Sequence, residues 1–192
     1  MLGIPIAFAV FGCGEWAAHK YLLHGRGRDR RSGFSFHYHD HHQSVRRHGG
    51  YDPAYEGPVW SSAIQAREAI GLAAIGLAHL PLWPLAPFYT STIWYCLYRY
   101  RRDHRRAHLD PAWARDHLPW HYDHHMGDQD KNFGVSWSWF DVLAGSREIF
   151  VGTERERAGL SRHLEQAQTA LSGAVLRAQR RNPLRRLFGR AP

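Results

Sequence analysis

Eleven of the chain's fifteen histidines fall into four short clusters: His19 and His24; His37, His39, His41 and His42; His104 and His108; and His121, His124 and His125. Imidazole is the side chain that suits iron, copper, zinc and nickel alike, and each cluster repeats an interval that brings rings together on one ion. On an α-helix, positions three or four apart share a face, which makes His104 with His108, and His121 with His124 and His125, the strongest ligand pairs. His19 and His24 are five apart. At about 100° per residue an α-helix turns them roughly 140° from one another, so they flank a site or serve two metals. In the second cluster His37 stands four before His41 and five before His42, with His39 an additional imidazole between them. His37 ranks above His39, and both remain candidate ligands.

Two plainer readings fit poorly. Histidine-rich storage tracts are low in complexity, whereas these clusters lie tens of residues apart among aromatic and apolar positions. The run His37-Tyr38-His39-Asp40-His41-His42 approaches the HxHxDH signature of metallo-β-lactamase-type hydrolases, but position 41 is His where that signature needs Asp, and no repeating strand pattern accompanies it.

Elements that hold these side chains must be helices, and 192 residues suit one main domain. With 44% hydrophobic residues and 14% aromatics there is material for a core. Net charge is +8, the pI is near 9.9, and 23 of 25 basic residues are Arg, a balance that suits phosphate-bearing partners, nucleic acid or anionic lipid. Two cysteines, Cys13 and Cys96, both in apolar stretches, permit neither a disulfide framework nor a CxxC metal site and read as buried free thiols.

Ala69 to Tyr98 contains no Asp, Glu, Lys or Arg, which selects lipid over nucleic acid. Pro81, Pro84 and Pro87 interrupt it, giving two legs, about 61–80 and 86–100, joined by a turn through Leu82, Trp83 and Leu85. Each leg is short for a full crossing, so the expectation is a shallow membrane hairpin with Trp60, Trp94, Tyr98 and Tyr100 at the interface. If the clusters on either side bind one centre, the chain must return to the side it left. Arginines beside the clusters (Arg26 to Arg31, Arg46 and Arg47, Arg99 to Arg106) place that side in the cytoplasm. The overall mean hydropathy of −0.51 keeps a soluble helical protein as the alternative. Leu2 to Gly12 lacks a charged leading region and a cleavage site and reads as a half-membrane helix delivering His19 and His24.

Four ordered clusters, HX4H (His19, His24), HX3HH (His37 to His42), HX3H (His104, His108) and HX2HH (His121, His124, His125), followed by Asn132-Phe133-Gly134 and Trp139-Phe140-Asp141, resemble the fatty acid hydroxylase/sterol desaturase superfamily of integral-membrane di-iron oxygenases. The likeness covers about residues 8–152. The stretch His19 to Gly25 is also similar to bacterial β-carotene hydroxylases. The resemblance implies an all-α fold, two iron ions held by His19, His24, His37, His39, His41, His42, His104, His108, His121, His124 and His125, no catalytic side chains beyond these ligands, and O2 as co-substrate. It further implies hydroxylation of an unactivated C–H bond of a lipid, with a fatty acyl chain first and a carotenoid or sterol hydroxylase or desaturase second; a soluble, non-catalytic metal-binding protein is the competing reading. No iron-sulfur or dinucleotide motif is present, so an external donor, ferredoxin or cytochrome b in type, is implied, with no nucleic-acid partner. The expected location is the inner or cytoplasmic membrane.

Imidazoles need partners that fix their tautomers, and Glu15, Asp40, Asp103, Asp123 and Asp141 are the carboxylates nearest in sequence. His48, His79 and His117 fall outside the site, His117 because Pro119 starts a new helix. Residues 1–152 form the catalytic domain, with the hairpin at about 61–100. Residues 153–192 form an amphipathic helix, with Leu160, Leu164, Leu171 and Val175 at near-helical spacing, and a basic tail.

Overall fold

The computed structural model describes residues 2–181, and the basic tail beyond Pro183 lies outside them. The described residues are helical with no strand, so the chain is all-α. It divides into two compact units, Met1–Val151 and Gly152–Pro192.

In the first unit, α1 (Gly3–Ala17) runs without a break into a π-helical segment (Ala18–Gly25). A second π-helical segment (Phe36–His41) continues into α2 (His42–Arg47). The hairpin follows as α3 (Ala63–His79) and α4 (Pro87–Leu109). Ser62 opens α3 by accepting the Gln65 N–H at 3.2 Å, and Pro87, with φ already set for a helix, opens α4. α4 continues nine residues past the expected end of its leg and carries His104 and His108 on one rigid rod. Proline again starts α5 (Pro111–His117) and α6 (Pro119–Met126), and a short α7 (Trp139–Leu143) completes the unit.

The core lies between α1 and α4: Ala7 and Phe11 pack on Ile93, Cys96, Leu97 and Tyr100, with Val135 closing one end. One face of α1 is thereby buried while Leu2, Ile6 and Val10 stay exposed. Cys96 is buried as expected, but Cys13 is on the exposed face of α1, which corrects the reading of two buried thiols.

No helix among the described residues is long and apolar enough to cross a membrane. The resemblance to integral-membrane enzymes implies transmembrane helices, and on this point it is corrected; the legs are too short for a crossing, as their lengths in the sequence indicate. α3 has 17 residues and carries Arg67 and Glu68 near its start, and the C-terminal half of α4, though the helix has 23 residues, is crowded with Arg and His. The hairpin itself is present, with Leu77, Leu85 and Phe88 exposed around its tip. In the second unit, α8 spans Glu154–Arg181 with Leu160, Leu164, Leu171 and Val175 exposed along it.

Candidate metal centre

Both π-helical segments carry histidines. There each N–H reaches back five residues rather than four, so positions five apart return to the same face. His19 pairs with His24, and His37 with His42, the pairs that α-helical geometry would separate. α4 and α6 keep the ordinary four-residue repeat and pair His104 with His108 and His121 with His125.

These pairs assemble into two buried groups, His19, His24, His37, His42 and His124 in one and His41, His104, His108 and His125 in the other, with donor atoms inside each group within 4.8 Å of one another. Adjacent histidines divide between the groups: His41 and His42 point to different ones, as do His124 and His125. Two sequence neighbours on one helix thus bridge both groups, which lie side by side with the His42 and His125 rings 4.3 Å apart. His121 borders the second group, its Nε2 3.2 Å from that of His108. His39 joins neither group. Two positions from His37 it falls on the opposite side of the turn, where its Nε2 bonds to the Arg28 carbonyl at 2.9 Å. His48, His79 and His117 each have Nδ1 on the carbonyl four residues back, away from both groups.

Within the first group the Nε2 atoms of His19 and His37, His24 and His42, His124 and His42, and His37 and His42 stand 2.9, 3.1, 3.2 and 3.3 Å apart. Nitrogens about 2.1 Å from a shared ion would lie roughly 3.0 Å apart at right angles and about 3.4 Å apart at tetrahedral angles. The spacing matches ligands of one ion.

Tautomers support the same conclusion. Nδ1 of His19 donates to the Phe133 carbonyl (2.5 Å) and Nδ1 of His124 to the Lys131 carbonyl (2.6 Å). In the second group Nδ1 of His41 donates to Asp52 Oδ2 (2.8 Å) and Nδ1 of His104 to Glu68 Oε2 (3.1 Å). With the proton held on Nδ1, each Nε2 presents a lone pair inward. His41 Nε2 and both nitrogens of His125 are sealed from solvent and lack any protein partner. Buried nitrogens facing one another with lone pairs are costly, and cations between them remove the cost.

Burial also keeps the rings neutral. It lowers His19 to about 3 and His24 to about 2, the latter helped by repulsion from His19 and Arg28. His37, His42, His108, His121, His124 and His125 lie well below the usual histidine range for the same first reason, burial, followed by their neighbours' charges. Little proton competition therefore opposes metal binding at neutral pH.

None of the five carboxylates nearest in sequence touches a clustered imidazole. Asp40 is exposed; Asp103 pairs with Arg99 and Arg102; Asp123 holds Arg147 and the Phe150 and Val151 N–H groups. The carboxylates that do hold imidazoles, Asp52 and Glu68, come from a loop and from α3, with no local signal near the histidines they serve. Asp52 is fully buried and also takes Ser44 and the Ala54 N–H; Glu68 also takes Tyr55 and Arg101. Burial alone would raise both carboxyls, but the hydrogen bonds from His41, Ala54 and Ser44 to Asp52, and His104, Arg101 and Tyr55 beside Glu68, hold them below the ordinary range.

Asp141 and Glu15 act one step further out. Asp141 accepts the Phe133 and Gly134 N–H groups, both at 2.8 Å, together with Trp16 Nε1 and Ser146 Oγ. This clasp fixes the Phe133 carbonyl that orients His19. Asn132 sits at φ 57°, a left-handed conformation Asn tolerates, and its side chain ties to Arg147 and Glu148. A Cβ on Gly134 would strike the Trp137 carbonyl, so the Asn-Phe-Gly run has a steric reason for its glycine. Glu15 accepts the Val135 and Ser136 N–H groups through Oε1, while Oε2 is sealed without a partner. Burial raises its carboxyl to about 7, against the hydrogen bonds from Ser136 and Val135.

A cavity of about 640 Å³ opens beside the two groups. Val10 and Phe11 of α1, Leu72 and Ile75 of α3, and Ile93 and Leu97 of α4 supply apolar lining, and His19, His37 and His104 line it as well. Both histidine groups thus contribute to the wall of one apolar space. Comparison with protein-family models, curated proteins and solved structures finds no match to this chain.

Proposed function

We propose that the chain is a membrane-associated di-iron oxygenase that hydroxylates an unactivated C–H bond of a lipid, a fatty acyl chain foremost, using O2 and electrons from an external donor. The observation that carries this reading is the largely apolar cavity lined by His19 and His37 of one histidine group and His104 of the other. Imidazole donors suit iron as they do copper, zinc and nickel, and it is the oxygenase reading that selects iron, which when bound would supply the redox chemistry that dioxygen activation needs. His19, His24, His37, His42 and His124 would hold one ion, and His41, His104, His108 and His125, with His121 beside them, the second.

The chain's own work is positional. Asp52, Glu68 and the Phe133 and Lys131 carbonyls aim the lone pairs, and the apolar walls hold a hydrocarbon segment against the imidazoles while excluding water. Exposed Leu77, Leu80, Leu82, Trp83, Leu85 and Phe88 around the hairpin tip, with Leu2, Ile6 and Val10 on α1, favour seating in one leaflet rather than a crossing. That arrangement brings a lipid to the cavity without its leaving the membrane.

Metal analysis of the purified protein should give about two ions per chain, iron in the active form. Lipid and pigment profiles of cells with the gene, without it and with His124→Ala should show a hydroxylated acyl product lost in the last two. Less than one ion per chain, or unchanged profiles with iron and reductant supplied, would overturn the proposal, and a pigment change alone would redirect it to carotenoids.

A further inference from the structure

Arg67 is the one Lys or Arg among the residues lining the cavity, and it is exposed and makes no ion pair among the described residues. Of the two carboxylates in the same lining, Glu68 is engaged by His104, Tyr55 and Arg101, and Glu15 accepts backbone N–H groups through Oε1 while its buried Oε2 has no partner. The guanidinium carbon of Arg67 lies 5.3 Å over the Phe36 ring, and that ring is 6.4 Å from the ring of His37. Arg67 stands among other exposed lining residues, Ile70, Gly71 and Ile75 along α3, Val10 and Gly14 on α1, and Leu22 and Gly33, so it can be reached from outside the cavity. From this point the α3 wall continues through Gly71, Leu72 and Ile75 to His79, twelve residues or roughly 18 Å further. A guanidinium held over an aromatic ring can still present N–H groups to a planar or tetrahedral oxyanion.

We infer that Arg67 is a head-group anchor, and that the cavity takes a single-chain amphiphile with an anionic carboxylate or phosphate head, its polar end beside the histidines and its tail toward the hairpin tip. The inference rests on the cavity being the substrate site, and it is tested by binding rather than turnover, so it can fail while the oxygenase reading stands, and the reverse.

The test uses the full chain in detergent and three probes of equal tail length: hexadecanoate, monohexadecyl phosphate and hexadecan-1-ol. Wild type should bind at least one of the anions roughly tenfold more tightly than the alcohol, the scale of one charge-assisted contact. The tighter anion tells a carboxylate source from a phosphate source. Arg67→Gln should bring the ratio of alcohol to anion dissociation constants close to one without changing alcohol binding, and Arg67→Lys should keep part of the preference. A wild-type protein with no anion preference overturns the inference whatever the variants do. So does an Arg67→Gln protein that keeps its anion preference, or one that loses alcohol and anion equally.

Discussion

Asp52→Asn keeps the shape of a buried side chain and removes its charge. Asp52 Oδ2 accepts from His41 Nδ1 at 2.8 Å, while Oδ1 accepts from Ser44 Oγ at 2.9 Å and from the Ala54 N–H at 3.0 Å. An amide can satisfy only one side. With its oxygen on Ala54, its NH2 meets the His41 Nδ1–H and drives the imidazole proton to Nε2, the nitrogen that faces the second histidine group. With the amide turned over, the Ala54 N–H loses its acceptor. One buried unsatisfied donor costs about 1–3 kcal/mol, which at about 2–4 °C per kcal/mol for a unit of this size predicts a fall in Tm of roughly 2–12 °C. Losing the carboxylate behind a ligating imidazole weakens metal affinity about 10–100-fold. The loss should fall on one ion, because the first group draws on the Phe133 and Lys131 carbonyls and not on Asp52. In a graded chelator challenge followed by metal analysis, wild type should pass from about two ions per chain to none, whereas Asp52→Asn should pause near one. Release of both ions together at the wild-type chelator concentration would refute the assignment of Asp52 to one group.

His42→Ala and His41→Ala, though adjacent, should weaken different ions, so the double variant should bind metal far less than either single one; identical spectra and release for the two singles would contradict the division. Because burial holds the imidazoles neutral, His19 down to about 3 and His24 to about 2, the unfolded chain binds more protons below pH 6.5, and stability present above that pH is lost on acidification at up to about 1.4 kcal/mol per pH unit for each such histidine. Metal-free protein should accordingly show a steep drop in urea midpoint between pH 6.5 and 5, and a flat profile there would count against the burial. Gly134→Ala should destabilise the clasp under His19, lowering both Tm and metal retention, while Gly159→Ala on α8, where a Cβ meets no atom within 4 Å, should leave both unchanged. Carbonate washing of membranes should leave the chain in the pellet if the exposed hairpin tip seats in a leaflet, and its release would remove the membrane from the proposal.

The parts of the molecule legible in the sequence were those set by local chemistry. Proline placed the turn between α3 and α4 and the start of α6, and the four-residue repeat paired His104 with His108, whereas the single surface expected for His121, His124 and His125 is divided, with His124 in one group, His125 in the other and His121 beside the second. What could not be read depended on contacts across the fold. Asp52 and Glu68 reach His41 and His104 from 11 and 36 residues away, so nearness in sequence selected the wrong carboxylates. Cys13 lies in an apolar run, yet only packing against α4 decides which face of α1 is covered, and Cys13 is on the other one.

The five-residue spacings carried more information than α-helical geometry could extract. Read at 100° per residue, His19 and His24 diverge; read on a π-helix they converge, and the same holds for His37 and His42. π-helical turns are rare and found frequently at functional sites, so two of them in one chain, each under a histidine pair, fit a site where both pairs could share an ion. The same geometry accounts for the HH doublets. A helix can turn only one face toward a given ion, and neighbouring positions diverge by about 100°, so His41-His42 and His124-His125 are suited to two adjacent ions and poorly suited to one. Two His-His doublets combined with two five-residue pairs therefore suit two adjacent histidine groups, the arrangement in which the His42 and His125 rings lie 4.3 Å apart.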